Sequence, residues 1–233
     1  MSPAPLVRLV SLDVGYTLGE PSGTTLTQRL VELSPLPARQ AKQIAQQILH
    51  ALDPRSDATG PQSVCAALGI AASAFPHDHR PPGFALWPGA VEAVARIARV
   101  LPVVTLSNVS HWDERETDVA ALLAPHLQAH YPSWQLGFAK PDPAAVQTVA
   151  RLHGRDPAEV LHVGDSFDYD VHGALAAEAQ ALWITSRPPT AKEIRLLAEH
   201  PGQVTVVPDL AHAVRHIEQT LLPSTRITRS ATS

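Results

Sequence analysis

Leu9-Val10-Ser11-Leu12-Asp13-Val14-Gly15-Tyr16-Thr17-Leu18 is the stretch whose reading decides the fold of this chain. An apolar run suited to a buried strand ends on a carboxylate, followed by a glycine-containing turn and a hydroxyl. Asp13 therefore falls at the carboxyl end of a strand, where open α/β sheets bind their ligands. Two residues on, where a second carboxylate would be useful, stands Gly15.

Working outward, short apolar runs at 7–12, 102–106, 160–163, 181–185 and 204–207 read as strands, with 134–138 as a sixth candidate. Helical patterns at 89–100, 114–123, 143–153, 171–178, 191–199 and 210–221 alternate with them. Such alternation predicts an α/β fold, a Rossmann-like parallel sheet with helices on both faces. From about Gly19 to Phe84 the alternation stops, with no convincing strand and helical patterns only. One of these carries Ala41, Ile44, Ala45, Ile48, Leu49 and Leu52 as an apolar stripe. The expected organisation is a core of residues 1–18 and 86–222, an inserted α-helical cap at 19–85, and a flexible tail at 223–233. An insertion at the carboxyl end of a strand sits over the presumed site, as a lid would.

Composition bounds the function. Of 233 residues, 45% are apolar and 17% charged, the balance of a globular protein. A net charge of -4 with scattered signs argues against nucleic acid as a partner. No apolar run is long enough to span a bilayer, and Met1-Ser2-Pro3-Ala4-Pro5 lacks a signal-peptide pattern, so no membrane association is expected. Cys65, the single cysteine, excludes an internal disulfide, reads as a small core residue, and fits a cytoplasmic location. The twelve histidines follow no zinc pattern. The pair His212 and His216, and the segment His77-Asp78-His79, are expected to be solvated.

Four segments at strand ends or helix starts carry reactive groups: Asp13, Ser107-Asn108, Lys140 before Pro141-Asp142-Pro143, and Gly164-Asp165 through Asp170. In a parallel sheet all four converge on one edge. Asp13 has the chemistry of a carboxylate nucleophile that forms an acyl phosphate for water to cleave. Asp13 and Asp165 offer hard oxygen ligands suited to Mg²⁺. Ser107, with backbone amides near Asn108, suits a phosphoryl oxygen, and Lys140 supplies a point positive charge. Without a cation, crowded carboxylates would raise one another's pKa and blunt Asp13.

In this order, the four segments resemble the motifs of the haloacid dehalogenase superfamily, and the resemblance runs from about Val7 to Leu221. Trp87-Pro88-Gly89 and Asp170-Val171-His172-Gly173-Ala174 match as well. The resemblance implies a helical cap inserted after the first strand. It assigns Asp13 as nucleophile, Ser107 as phosphate donor and Lys140 as the stabilising lysine. Mg²⁺ would be held by Asp13, Asp165, Asp170 and the backbone carbonyl of Gly15.

The departure is Gly15. Phosphatases of the family normally carry a second aspartate there, which protonates the leaving oxygen and later activates water. That help is worth about 10²–10⁴-fold, so its loss should slow poor leaving groups most. Glu20, His111 and Asp168 are candidate substitutes. Tyr16 also replaces a usually small residue.

The leading expectation is a phosphatase of a small phosphorylated metabolite, monomeric or homodimeric. One alternative is dehalogenase- or phosphonatase-like cleavage by Asp13, since those relatives also lack the second aspartate. Asp165 speaks against a metal-free dehalogenase, and Lys42 is the one lysine placed for a phosphonatase Schiff base. The other alternative is a catalytically impaired protein that binds a phosphorylated ligand or a protein partner.

Overall fold

A computed structural model describes residues 6–53, 59–114 and 119–221. In chain order, β1 (Leu9–Leu12) and β2 (Gly19–Ser22) precede helices α1 (Leu26–Leu33), α2 (Ala38–Leu49) and α3 (Gly60–Leu68). Then come β3 (Gly83–Leu86), α4 (Ala90–Ala98), β4 (Val103–Ser107), α5 (Val119–Leu123), β5 (Ala129–Pro132), α6 (Ser133–Leu136) and α7 (Pro143–Leu152). The chain continues through β6 (Val160–Gly164), α8 (His172–Ala176), β7 (Gln180–Ile184), α9 (Ala191–Glu199), β8 (Val204–Val207) and α10 (Leu210–Leu221). The tail at 223–233 and part of the helix expected at 114–123 lie outside the described residues.

Six strands form one parallel sheet in the order β5-β4-β1-β6-β7-β8. The chain leaves β1 for one side of the sheet and returns to the other at β6. The crevice outside the carboxyl ends of β1 and its neighbours is therefore the switch point at which such sheets bind ligands. Alternation along β1 sends Val10 and Leu12 into the core shared with α4 and α10. Leu9 goes to the opposite core, with Val146 and Val149 of α7 and Ala174 of α8. Sheet and helices thus bury apolar residues on both faces, as the sequence predicts.

Two strand assignments need correction. Residues 134–138, expected as a strand, begin within the short helix α6, and the edge strand is β5 just before it. The 19–85 segment is not strand-free either. Its two ends pair as an antiparallel ribbon, with Gly19 opposite Leu86 and Ser22 opposite Gly83. Pro21 fits there because a two-stranded ribbon leaves an unpaired edge.

Between the ribbon strands, α1, α2 and α3 bury Leu26, Leu30, Ala41, Ala45, Leu49, Val64, Cys65 and Leu68 in a core of their own. Phe75 closes this core and meets Trp112, from the loop after β4, edge-on at 5.6 Å. Asp113 in that loop grips both legs of the insert. It accepts from Leu26 N at 2.8 Å, where α1 begins, and pairs with His79 Nε2 at 2.9 Å on the return leg. The Ser110 hydroxyl donates to its other oxygen at 2.8 Å. His79 was expected in solvent, but it is buried on this carboxylate. No helix among the described residues is long and apolar enough to cross a membrane.

Candidate active site

Asp13 leaves β1 with its own amide still in the sheet, donating to Val163 O at 2.8 Å. Its carboxylate is therefore fixed against β6. Oδ1 receives Lys140 Nζ at 2.7 Å, and Oδ2 receives the Thr17 hydroxyl at 3.1 Å. The same hydroxyl lies 3.4 Å from Asp165 Oδ1. Lys140 uses all three ammonium hydrogens, on Asp13, on Asp170 Oδ1 at 2.7 Å and on Leu106 O at 2.9 Å. The side chain of Asn108 brackets the Lys140 peptide, accepting from its N–H at 2.9 Å and donating to its C=O at 2.6 Å. The side-chain amide of Asn108 thus holds the lysine in place.

Asp165 precedes, and Asp170 lies within, a wide turn, Phe167–Val171, that follows β6. Turns with i→i+5 bonds recur at functional sites because they re-aim side chains. Asp170 folds back so closely that a Cβ on Gly164 would lie 2.2 Å from its carboxyl carbon, so only glycine fits there. Asp170 Oδ1 also receives His162 Nε2 at 3.0 Å, and Oδ2 receives Ser166 N at 2.9 Å. The Trp183 indole donates to Asp165 O at 2.9 Å and steadies the start of the turn.

Oxygens of Asp13, Asp165 and Asp170 lie within 4.8 Å of one another. Burial, then the charges of Asp170 and Asp165, push Asp13 up to about 6 against the pull of Lys140. Burial and Asp170 likewise raise Asp165 to about 6. Burial works against an ionised Asp170 too, but Lys140 and His162 outweigh it and hold the carboxyl well below its usual range. Burial disfavours the Lys140 ammonium, yet Asp13 and Asp170 keep it above the usual lysine value. One ammonium among three carboxylates leaves an excess of negative charge, and Asp13 and Asp165 bear it. Hard oxygen donors with uncompensated charge are the donor set a divalent cation such as Mg²⁺ requires.

Ser107 ends β4, buried, and its hydroxyl makes no hydrogen bond among the described residues, so it is available to a ligand. Gly15 has space around it, since a Cβ there would meet nothing within 4 Å. Tyr16 takes a left-handed φ of 60°, a cost of about 1 kcal/mol for a non-glycine residue, and leaves its ring exposed. Of the suggested substitutes for the second aspartate, Glu20 and Asp168 are exposed, and His111 is packed between Trp112 and Trp134. None of them bonds Asp13, Lys140 or Asp165 among the described residues. Lys42 is exposed on α2.

Sequence reasoning passed over four residues of this site. Thr17 bridges two carboxylates, and Ser11 and His162 support Asp170 from below. His50, at the end of α2, is the fourth. Burial, then the charge of Lys140, pull its pKa down to about 4. One turn earlier, Gln46 accepts from the Tyr169 hydroxyl at 3.3 Å. A signal for Ser11 and His162 was present in the sequence: each is the polar residue in an otherwise apolar strand. No sequence signal marked His50.

Residues 81–178, which include Ser107, Lys140, Asp165 and Asp170 but not Asp13, match the family model of haloacid dehalogenase-like hydrolases. A phosphoserine phosphatase from Thermus thermophilus is 33% identical over 114 residues, which are 48% of this chain and 45% of that protein. The match thus spans about half the length of each. A 2-haloacid dehalogenase from Pseudomonas syringae shares the fold with a TM-score of 0.60 at 16% identity, over 92% of this chain and 99% of that one. A putative hydrolase of the superfamily from Bacillus subtilis, bound to magnesium, superposes with a TM-score of 0.54 at 17% identity, over 91% and 99% of the two chains. At such identities the likeness establishes the fold alone and leaves the reaction to the site.

Proposed function

We propose that the protein is a Mg²⁺-dependent phosphatase of a small phosphorylated metabolite, acting through an aspartyl-phosphate on Asp13. The observation that carries this reading is the cluster of Asp13, Asp165 and Asp170, the first and last of them buried and paired with Lys140. The phosphoserine phosphatase likeness agrees with it. A metal-free dehalogenase would have no use for the excess carboxylate charge. Asp13 Oδ1 is held by Lys140, and the ionised carboxylate attacks phosphorus as the ester oxygen departs. Ser107 donates to a phosphoryl oxygen, and water then cleaves the acyl phosphate. Asp13, Asp165, Asp170 and the carbonyl of Gly15 are the groups that would hold Mg²⁺. Bound there, the ion supplies positive charge to the carboxylates and to the phosphoryl oxygens.

Residues 19–85 serve as the cap in this reading. Closure of α2 over the site excludes water and presents cap side chains to the part of the substrate beyond the phosphate. The single buried thiol, Cys65, fits the reducing cytoplasm.

The test is phosphate release from a panel of aryl and alkyl phosphomonoesters, with Mg²⁺ and with chelator. Mg²⁺-dependent release, faster for aryl than for alkyl esters, is the expected result. Chloride release from 2-haloacids that ignores chelator would overturn the proposal in favour of dehalogenation. Ligand binding without turnover would favour a binding protein.

A pH dependence follows from the raised Asp13 value. Only the ionised carboxylate attacks, so at limiting Mg²⁺ the rate is expected to fall as pH drops through about 6. A cation favours ionised Asp13 and Asp165, so saturating Mg²⁺ should move this acid limb to lower pH. An acid limb that stays in place across a Mg²⁺ titration would contradict the shared site.

A further inference from the structure

The two polar residues in the central strands account for a part of the site that the reaction does not directly use. Ser11 of β1 and His162 of β6 are opposite one another in the parallel register. Their exposures are 0% and 1%, and the strand neighbours of each are apolar. His162 Nδ1 lies 3.1 Å from Ser11 Oγ, and Nε2 lies 3.0 Å from Asp170 Oδ1. An ionised carboxylate only accepts, so Nε2 carries the hydrogen on the Asp170 side. With the ring neutral, Nδ1 accepts from the Ser11 hydroxyl. The serine thereby fixes the ring orientation and the face it turns to Asp170.

Asp170 Oδ1 is shared by two donors, His162 and Lys140. Lys140 in turn has no spare hydrogen, and its distances to Asp13 and Asp170 are equal. We propose that Ser11 and His162 are positioning residues for catalysis: a buried strut that holds the Asp170 carboxylate and, through it, the Lys140 ammonium against the nucleophile. Without the His162 donor, Oδ1 has only the lysine to orient it, and the Ser166 amide on Oδ2 is the one remaining hold from β6 and its turn. The ammonium then keeps Asp13 and Leu106 O but faces a less firmly held Asp170. A pair that served only to satisfy buried polar groups would leave the lysine and the metal site unaffected.

This inference rests on the reading of Asp13 as nucleophile, and the experiment separates the two. Full-length His162→Leu, His162→Gln and Ser11→Ala are compared with wild type in steady-state hydrolysis of an aryl phosphate and in calorimetric Mg²⁺ titration. His162→Leu is expected to lower kcat by about 10–100-fold with KM unchanged, and to weaken Mg²⁺ binding, as loss of an outer support does. His162→Gln keeps an N–H for Asp170 and should recover most of both. Ser11→Ala should lower kcat less than His162→Leu. A folded His162→Leu with wild-type kcat and Mg²⁺ affinity, or His162→Gln no better than it, would overturn the inference. If His162→Leu does not fold, wild-type kcat and Mg²⁺ affinity in both remaining variants would overturn it equally. Failure of the wild type to release phosphate would sink the phosphatase reading alone, and the Mg²⁺ titrations would still decide the strut.

Discussion

Asp13→Asn is expected to bring phosphate release to background while making the metal-free protein more stable at neutral pH. The activity loss follows from removing the nucleophile, which in covalent catalysis costs roughly 10⁴-fold or more. The stability gain follows from the charge excess. Folding raises Asp13 from 3.8 to about 6, so the fold favours its protonated form. At about 1.4 kcal/mol for each pKa unit, ionised Asp13 costs the fold at most about 3 kcal/mol at neutral pH. Asparagine escapes that cost, in which the pull of Lys140 is already counted, so the net gain is at most about 3 kcal/mol. For a chain of this size, each kcal/mol moves the melting temperature by about 2–4 °C. Between pH 4 and 6 the folded protein binds more protons than the unfolded chain, so this part of the cost fades on acidification. Thermal melts in chelator should therefore show the variant above wild type at neutral pH and the gap closing towards pH 4. A variant that melts lower at neutral pH would mean that the Lys140 bond outweighs the crowding of the carboxylates.

Gly15→Asp is expected to raise turnover of alkyl phosphates, by about 10²–10⁴-fold at the limit of what one acid–base group supplies. The position can take it. A Cβ there meets nothing within 4 Å, and Gly15 is not among the glycines with a positive φ. A fourth carboxylate beside Asp13 and Asp165 would itself be pushed towards its protonated form by like charges, which suits a proton donor. Activated aryl phosphates leave without a proton, so their rates should change little. The measurement is the dependence of kcat on leaving-group pKa, which should flatten in the variant. Equal gains for aryl and alkyl esters, or none for either, would mean that proton transfer is not what Gly15 removes.

Much of the core was legible because its central strands are buried on both faces and so read as continuous apolar runs. The site was legible because a parallel sheet brings strand ends together, and Asp13, Lys140, Asp165 and Asp170 do meet there. β5 was not legible. Ala129-His130-Tyr131-Pro132 is a half-buried edge strand with little apolar signal, and the aromatics of 134–138 drew the assignment past it. The ribbon was hidden because Gly19-Glu20-Pro21-Ser22 has the composition of a turn, and only its partner makes it a strand. The role of Asn108 was also out of reach, since its partner lies 32 positions away. His50 had no signal because its burial depends on how the end of α2 is placed by the tertiary fold.

Asp113 sets a condition on anyone who would exchange the helical insert for another to change what the protein accepts. The carboxylate belongs to the loop after β4, but two of its donors, Leu26 N and His79, travel with the insert. A graft cut at the ribbon that starts its first helix elsewhere, or lacks a donor on its return leg, leaves this part-buried carboxylate short of a donor. A hydrogen bond lost to a charged group costs about 1.5–3 kcal/mol, a sizeable share of a typical domain's whole stability. A transplant therefore has to bring a helix start and a cationic or N–H donor to this one carboxylate, or replace Asp113 along with the insert.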